Sequence, residues 1–318
     1  MNAAQECYRN VTWKRQPQGY MTRMLTECRS LQRDLMDGTY RPREPRRFTI
    51  MERGKQREIL PVDFRDRVAQ RCLCDNYLYK RVEDYISEDS SACIVGRGLA
   101  YAHDRVREHA ARCPLGGWVL QYDFHDYFAS IDRRLLNALV AKLVPDERMR
   151  WIVSVMTGEV GGLELGSHVS QILAGAYPTP IDRAIESLPG TVGYHRYMDD
   201  GVAFLADRDS AVEARGVFEQ MALRMRLVCN PGKTHINRVT APFVFCKMRY
   251  SKQADGSVRM NVQKKQTRKS VGHAKRVKAL DEREPGKGID LMPVEAALEG
   301  YLARGDADLS WLARRAFE

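Results

Sequence analysis

Three aspartates stand where carboxylate chemistry can happen. Asp123 stands at the end of the apolar run WVLQY, which predicts a buried strand, and Asp199-Asp200 occupy a tight turn, RYMDDG, between two short apolar strands. Carboxylates presented in this way can bind two Mg²⁺ ions about 4 Å apart, one activating an attacking hydroxyl and the other steadying a pyrophosphate leaving group. A hairpin suits that task because it holds side chains rigidly at a sheet edge. Asp-Asp-Gly is also among the commonest turn compositions, and taken alone the segment reads as a turn.

The elements that must position these residues are legible from periodicity. Residues 1 to about 38 carry Tyr8, Trp13, Tyr20, Met24, Leu25, Cys28, Leu31 and Leu35 at helical spacing up to Asp37-Gly38, predicting one or two packing helices. RFTIMERGKQREILP, from Arg47 to Pro61, alternates and turns at Gly54 as a two-stranded hairpin, and VDFRDRVAQRCLCDNYLYKRV is helical in period. Helices are predicted over 132–143, 146–157 and 167–187, the last with Ser167 as N-cap after Gly166. A helix at 208–226 and strands near 234–238, 243–250 and 257–262 follow, the last two joined at Asp255-Gly256. Strands and helices mix without a strict βα alternation, so the fold class is α+β.

Composition narrows the partners. Lys and Arg total 51 against 41 acidic residues, a formal charge of +10 over 318 residues, which suits a polyanion such as nucleic acid and also simply keeps a protein soluble. QKKQTRKSVGHAKRVKAL, beyond residue 262, predicts a basic helix that is either a solvated face or a grip on a nucleic-acid backbone, ahead of two short helices. Eight scattered cysteines, with Cys72 and Cys74 lacking C-x-x-C spacing, are expected to be reduced and not to bind zinc. No leader-type apolar region and no run of roughly 20 apolar residues is evident, so a cytoplasmic protein without membrane association is expected. His125 and His168 read as polar neighbours, because Mg²⁺ prefers oxygen ligands.

Taken together, the motifs resemble those of reverse transcriptases, in the same order over residues 40 to 250. RYMDDG resembles the family's signature turn, and YDFHDYFASID its first catalytic motif. The resemblance implies that Asp123, Asp199 and Asp200 bind metal, that Phe124 offers its backbone carbonyl, and that Asp126 and Tyr127 lie by the incoming triphosphate. Phe128 matches the steric gate that excludes a ribose 2′-hydroxyl, although an aromatic core residue is the ordinary explanation of a Phe. RGKQREI resembles the motif in which Lys55 and Arg57 clamp phosphates, for which ammonium and bidentate guanidinium groups are suited; a solvated hairpin is the alternative. Gly96-Arg97-Gly98 resembles the next fingers motif. LELGSHVSQILAGAY resembles the motif shaping the template and nucleotide pocket, with Leu165, Gly166, Ser170 and Gln171 in the pattern [ILV]-G-x-x-x-S-Q. Lys233 in NPGKTHI matches a general acid near pyrophosphate. Tyr197 and Met198 of the signature turn are implied to contact nucleic acid. FVFCKMRY, with Phe245 and Cys246, resembles the primer grip, and the helix carrying Lys264, Lys265, Arg268, Lys269 and Lys275 a small thumb.

The implied architecture is a right-hand polymerase with an antiparallel palm sheet. It has an N-terminal helical extension at 1–39, fingers at 40–118 and in helices about 132–160, a palm at 119–250 and a thumb at 251–318. The implied activity is RNA-directed DNA synthesis with two Mg²⁺ ions, for which Mn²⁺ can substitute. The implied partners are dNTPs, a template RNA, the cDNA or primer, and an accessory protein or structured non-coding RNA. Leu165 in place of the usual Gln resembles the enzymes of diversity-generating retroelements. Antiphage-defence reverse transcriptases that make self-primed or untemplated DNA, and a non-catalytic relic of the fold, stay open.

Overall fold

In the computed structural model, residues 10, 45–47, 53, 54, 60, 159, 160, 284–289, 308 and 318 lie outside the described part, as do the side chains of 48, 50–52 and 55–59. The chain forms two compact units, each assembled from three separated stretches: Met1–Gly98, Asp123–Ala184 and Val217–Asn230 in one, and Leu99–Tyr122, Ile185–Gly216 and Pro231–Glu318 in the other.

The first unit opens with helices Asn2–Tyr8, Arg15–Thr22 and Met24–Met36, one more than the spacing predicts, because the backbone leaves helical geometry at Arg23. Strands β1 (Phe48–Glu52) and β2 (Lys55–Ile59) pair antiparallel with Glu52 opposite Lys55, and the expected turn at Gly54 lies outside the described residues. Helix Phe64–Leu73, capped by Asp63, runs through a π-helical turn at Cys74–Leu78 into helix Tyr79–Tyr85, and β3 (Ser90–Ser91) follows. Asp132 and Asp146 cap helices Arg133–Leu143 and Glu147–Thr157 by accepting from backbone N–H groups at 2.8–3.0 Å, a task for which a short carboxylate is well shaped. The helix predicted over 167–187 is two, His168–Ala176 and Thr179–Glu186, because Pro178 has no N–H for the ladder. Ser167 caps the first of them, as expected, accepting from the Ser170 amide.

In the second unit, helix Leu99–Arg112 leads into β4 (Trp118–Tyr122). β5 (Thr191–Tyr197), β6 (Asp200–Leu205) and β7 (His235–Arg238) join it in the antiparallel order β5-β6-β4-β7. β8 (Phe243–Phe245), β9 (Met248–Lys252) and β10 (Val258–Val262) form a meander. Its first turn puts Cys246 and Lys247 at φ 46° and 69°, the pattern of a type I′ hairpin, and its second uses Gly256 at φ 86° after Asp255. Helices Lys264–Arg283, Met292–Leu302 and Trp311–Phe317 complete the unit.

One apolar cluster holds these parts together. It joins Ala102 and Val106 of the first helix, Val202 and Phe204 of β6, Phe243, Tyr250 and Met260 of the meander, and Ala274 and Leu298 of the C-terminal helices. Lys252, only 6% exposed, crosses this interior and donates to the carbonyls of Ala110 and Ala111 at 2.9 and 2.7 Å, so a buried ammonium caps the C-terminus of helix Leu99–Arg112. The α+β class is therefore observed. No helix among the described residues is long and apolar enough to cross a membrane.

Candidate active site

Asp123 begins an extended stretch of the first unit. Its carbonyl accepts from the Asn230 amide at 2.8 Å, Phe124 bridges to Cys229, and the His125 amide donates to Val228 at 2.8 Å. The Asp123 carboxylate is 4% exposed and takes a hydrogen bond from Asn230 Nδ2 at 2.9 Å. A buried carboxylate needs such a donor, and Asn230 had no signature in the sequence because its role depends on this pairing. The chain then turns sharply at Asp126, which adopts φ 44° and leads into the short helix Tyr127–Ser130. His125 Nδ1 lies 3.2 Å from Asp126 Oδ2 at an exposed position. Tyr127 is buried: its ring stacks on Phe124 at 5.5 Å and its hydroxyl donates to the Ala174 carbonyl at 2.5 Å.

Phe128 is half-buried, its ring edge-on to Tyr127 at 5.7 Å. Its carbonyl accepts from Leu163 at 2.8 Å, and a Cβ on Gly162 would come closer than 3.0 Å to the Phe128 and Ala129 carbonyls. The loop before Gly166 is thus pressed directly onto the residue expected to judge the sugar. Leu165 is exposed, and Gly166 at φ 104° uses a conformation that side chains rarely adopt. Gly166, His168 and Gln171 line an open cleft of about 300 Å³ with Arg67, Gln70, Arg71 and, from the N-terminal helix, Glu6 and Cys7. His168 is held by Tyr79, whose hydroxyl is 2.8 Å from Nε2, and by Gln70, which accepts from its amide at 2.9 Å. Burial and the nearby Arg71 keep its imidazole below the usual range.

In the second unit, β5 and β6 pair Tyr197 with Asp200 and Arg196 with Gly201, leaving Met198-Asp199 as a two-residue turn. Met198 sits at φ 57°, the place in a type II′ turn that glycine ordinarily fills, at a cost of about 1–2 kcal/mol for a side chain with a Cβ. The next strand fixes the neighbourhood: Tyr122 lies opposite Gly201, and a Cβ there would fall within 3.0 Å of the Tyr122 ring, which itself hydrogen-bonds to Tyr194. The Cys246 thiol is pushed well up by burial, and the carboxylates of Asp200 and Asp199 add to the shift, so the β8–β9 turn lies within reach of their field. Phe245 is buried and edge-on to His195 at 5.9 Å, while Tyr197 and Met198 are half-buried.

The remaining expected residues are placed individually. Lys233 is exposed on a turn ahead of β7. Lys264, Lys265, Arg268, Lys269 and Lys275 are all exposed along helix Lys264–Arg283, which buries Ala274. Arg97 binds inward, donating to the Ser87 carbonyl at 3.2 Å and lying 3.7 Å from Glu83. The side chains of Lys55 and Arg57 lie outside the described residues.

Among the described residues no three His, Cys, Asp or Glu side chains form a ready-made metal cage. Asp123, Asp199 and Asp200 offer oxygen donors only, and Mg²⁺ ordinarily takes one or two carboxylates and completes its shell with water and substrate phosphates. Carboxylate oxygens are the donor type that ion prefers.

No family model matches the chain. Protein YkfC of Escherichia coli (strain K12) is 25% identical over 277 residues, covering 70% of this chain and 71% of that protein. Among solved structures, apo telomerase from Candida tropicalis truncated from its C-terminal domain aligns with a TM-score of 0.50 at 11% identity, over 65% of this chain and 53% of the telomerase chain. A second apo telomerase structure from the same organism aligns with a TM-score of 0.52 at 10% identity, over 66% and 47%. The chain therefore spans about half the length of the telomerase chains it matches. At such identities the likeness is one of fold alone.

Proposed function

We propose that this chain is an RNA-directed DNA polymerase, and more narrowly the reverse transcriptase of a diversity-generating retroelement. The observation that carries the reading is a register: Tyr122, the residue before Asp123, pairs with Gly201, the residue after Asp200. The telomerase-like fold supports it, as does the oxygen-only character of the three carboxylates. On this reading the fingers, palm and thumb run as the resemblance implies. A template RNA and a primer occupy the chain's basic surface with an accessory protein or structured RNA as partner.

Two Mg²⁺ ions, when bound, supply Lewis acidity for in-line attack of a primer 3′-hydroxyl on the α-phosphate of a dNTP. The residues do the positioning. Asp123, Asp199 and Asp200, with the Phe124 carbonyl, hold the ions, and Asn230 orients the Asp123 carboxylate through its hydrogen bond. Lys55 and Arg57 take the triphosphate, with Asp126 and Tyr127 beside it. Phe128 closes the space of a ribose 2′-hydroxyl, and Lys233 protonates the departing pyrophosphate.

The test is primer extension on RNA with dNTPs, together with sequencing of the nucleic acid that copurifies with the protein. Asp199→Ala with Asp200→Ala should abolish incorporation while changing stability by no more than about 0.5 kcal/mol, since half-exposed turn carboxylates add little to a core. Wild-type activity in that variant would refute the metal assignment. A cDNA matching one RNA and mutated at adenines supports the retroelement role; template-free or repetitive DNA would replace it with a defence role.

A further inference from the structure

We propose that Arg196 is a positioning residue for the carboxylates of Asp199, in the Met198-Asp199 turn, and Asp200, which follows it, an inference that rests on the polymerase reading of that turn. Arg196 is 0% exposed, the largest of the fully buried side chains. A guanidinium does not enter an interior without acceptors to receive it, because an unpaired buried charge is far more costly than an apolar side chain of the same size. One acceptor is local and specific: Nη1 donates to the carbonyl of Met198 at 2.8 Å. Met198 is the residue whose backbone stands at φ 57° without being glycine, and it directly precedes Asp199.

Arg196 therefore grips the strained residue of the turn from inside the sheet. It reaches from a paired strand position, Arg196 opposite Gly201, to the unpaired loop two residues on. The contact is made by a planar, permanently charged donor, which resists both rotation and deprotonation. With the Met198 peptide held, the departure direction of Asp199 and the start of β6 at Asp200 are set before any cation arrives. The aspartates hold the metal; Arg196 acts on it only through the turn, as outer partners of metal ligands do elsewhere.

Two substitutions separate this role from mere core filling. Arg196→Met keeps the volume and removes the donor, and Met198→Gly removes the conformational strain that the donor restrains. Mn²⁺ binding, followed by electron paramagnetic resonance of the free ion, is the readout independent of turnover; Mg²⁺-dependent primer extension and circular dichroism accompany it. Arg196→Met is expected to weaken Mn²⁺ binding by at least about ten-fold and raise the Mg²⁺ requirement in step. Adding Met198→Gly should recover a measurable part of both, and Arg196→Lys should fall between wild type and Arg196→Met. If Arg196→Met fails to fold, the same comparison is made in Arg196→Lys with and without Met198→Gly.

Wild-type Mn²⁺ affinity in a folded Arg196 variant, or a loss that Met198→Gly does not relieve, overturns the positioning role while leaving the polymerase reading intact. Wild-type protein that neither binds Mn²⁺ nor extends primers overturns both. Loss and rescue of Mn²⁺ binding in a protein that extends no primer upholds the positioning role and refutes the polymerase.

Discussion

Gly201 is the position at which a single methyl group should do most damage. Its Cβ would come within 3.0 Å of Tyr122 Cζ, Cε1 and Oη, atoms of a ring that is 2% exposed and has no open side to move toward. Displacing the ring also breaks its hydroxyl hydrogen bond to Tyr194, itself 1% exposed. Overpacking of this kind costs about 1–3 kcal/mol and loss of a buried hydroxyl's hydrogen bond about as much again, so Gly201→Ala is expected to cost about 2–6 kcal/mol. Tyr122→Leu, which ends the side chain before the clashing atoms, should destabilise alone but relieve Gly201→Ala. In urea denaturation the double variant should be more stable than the sum of the singles predicts by about 1–3 kcal/mol. Additivity within about 0.5 kcal/mol would show that the ring does not meet Gly201 as described, and would remove the close strand approach on which the functional reading leans.

Phe128→Ala should lower discrimination against ribonucleotides by about ten-fold or more in competitive incorporation, and unchanged discrimination would end its role as a sugar gate. His103 predicts a pH effect. Burial, with Arg304 nearby, lowers its imidazole to about 4, Nδ1 is 2.6 Å from the Tyr250 hydroxyl, and Nε2 is buried without a partner. The unfolded chain therefore binds a proton that the folded one refuses, and stability contributed by this site is full above about 6.5 and is lost as pH falls toward 4. Thermal melts of His103→Gln should lose less stability than wild type between those values; parallel curves would refute the assignment.

Much of this molecule was readable in advance where local chemistry decides. Ser167 announced a helix start because a cap needs only its own next turn, and Asp132 and Asp146, where two helical runs were expected to begin, prove to cap them in the same way. Asp255-Gly256 announced a hairpin in the same way. The split at Pro178 was available to that reasoning and was overrun by the apolar periodicity on either side, which does not register a missing N–H. The third N-terminal helix, the π-helical turn at Cys74–Leu78 and the left-handed Cys246-Lys247 turn had no such local mark, since tertiary packing holds them. At the site, the aspartates were found by resemblance and their supports were not. Asn230, Arg196 and the pair of Tyr122 with Gly201 matter through partners far away in sequence, and a strand pattern that counts apolar alternation reads a buried arginine as an exposed one.

The threading of the chain between the two units bears on how the protein is made. The first unit begins at the N-terminus but takes its last stretch from Val217–Asn230, and the second waits for everything after Pro231. At a synthesis rate of roughly 5–20 residues per second, the helices before Gly98 stand without their partners for on the order of ten seconds while the intervening chain emerges. Neither unit can finish vectorially, and the buried ammonium of Lys252 cannot cap its helix until a segment about 140 residues downstream has left the ribosome. Such a nascent chain shows apolar surface for longer than one whose domains are contiguous, and its yield in a cell depends on what shields that surface in the meantime.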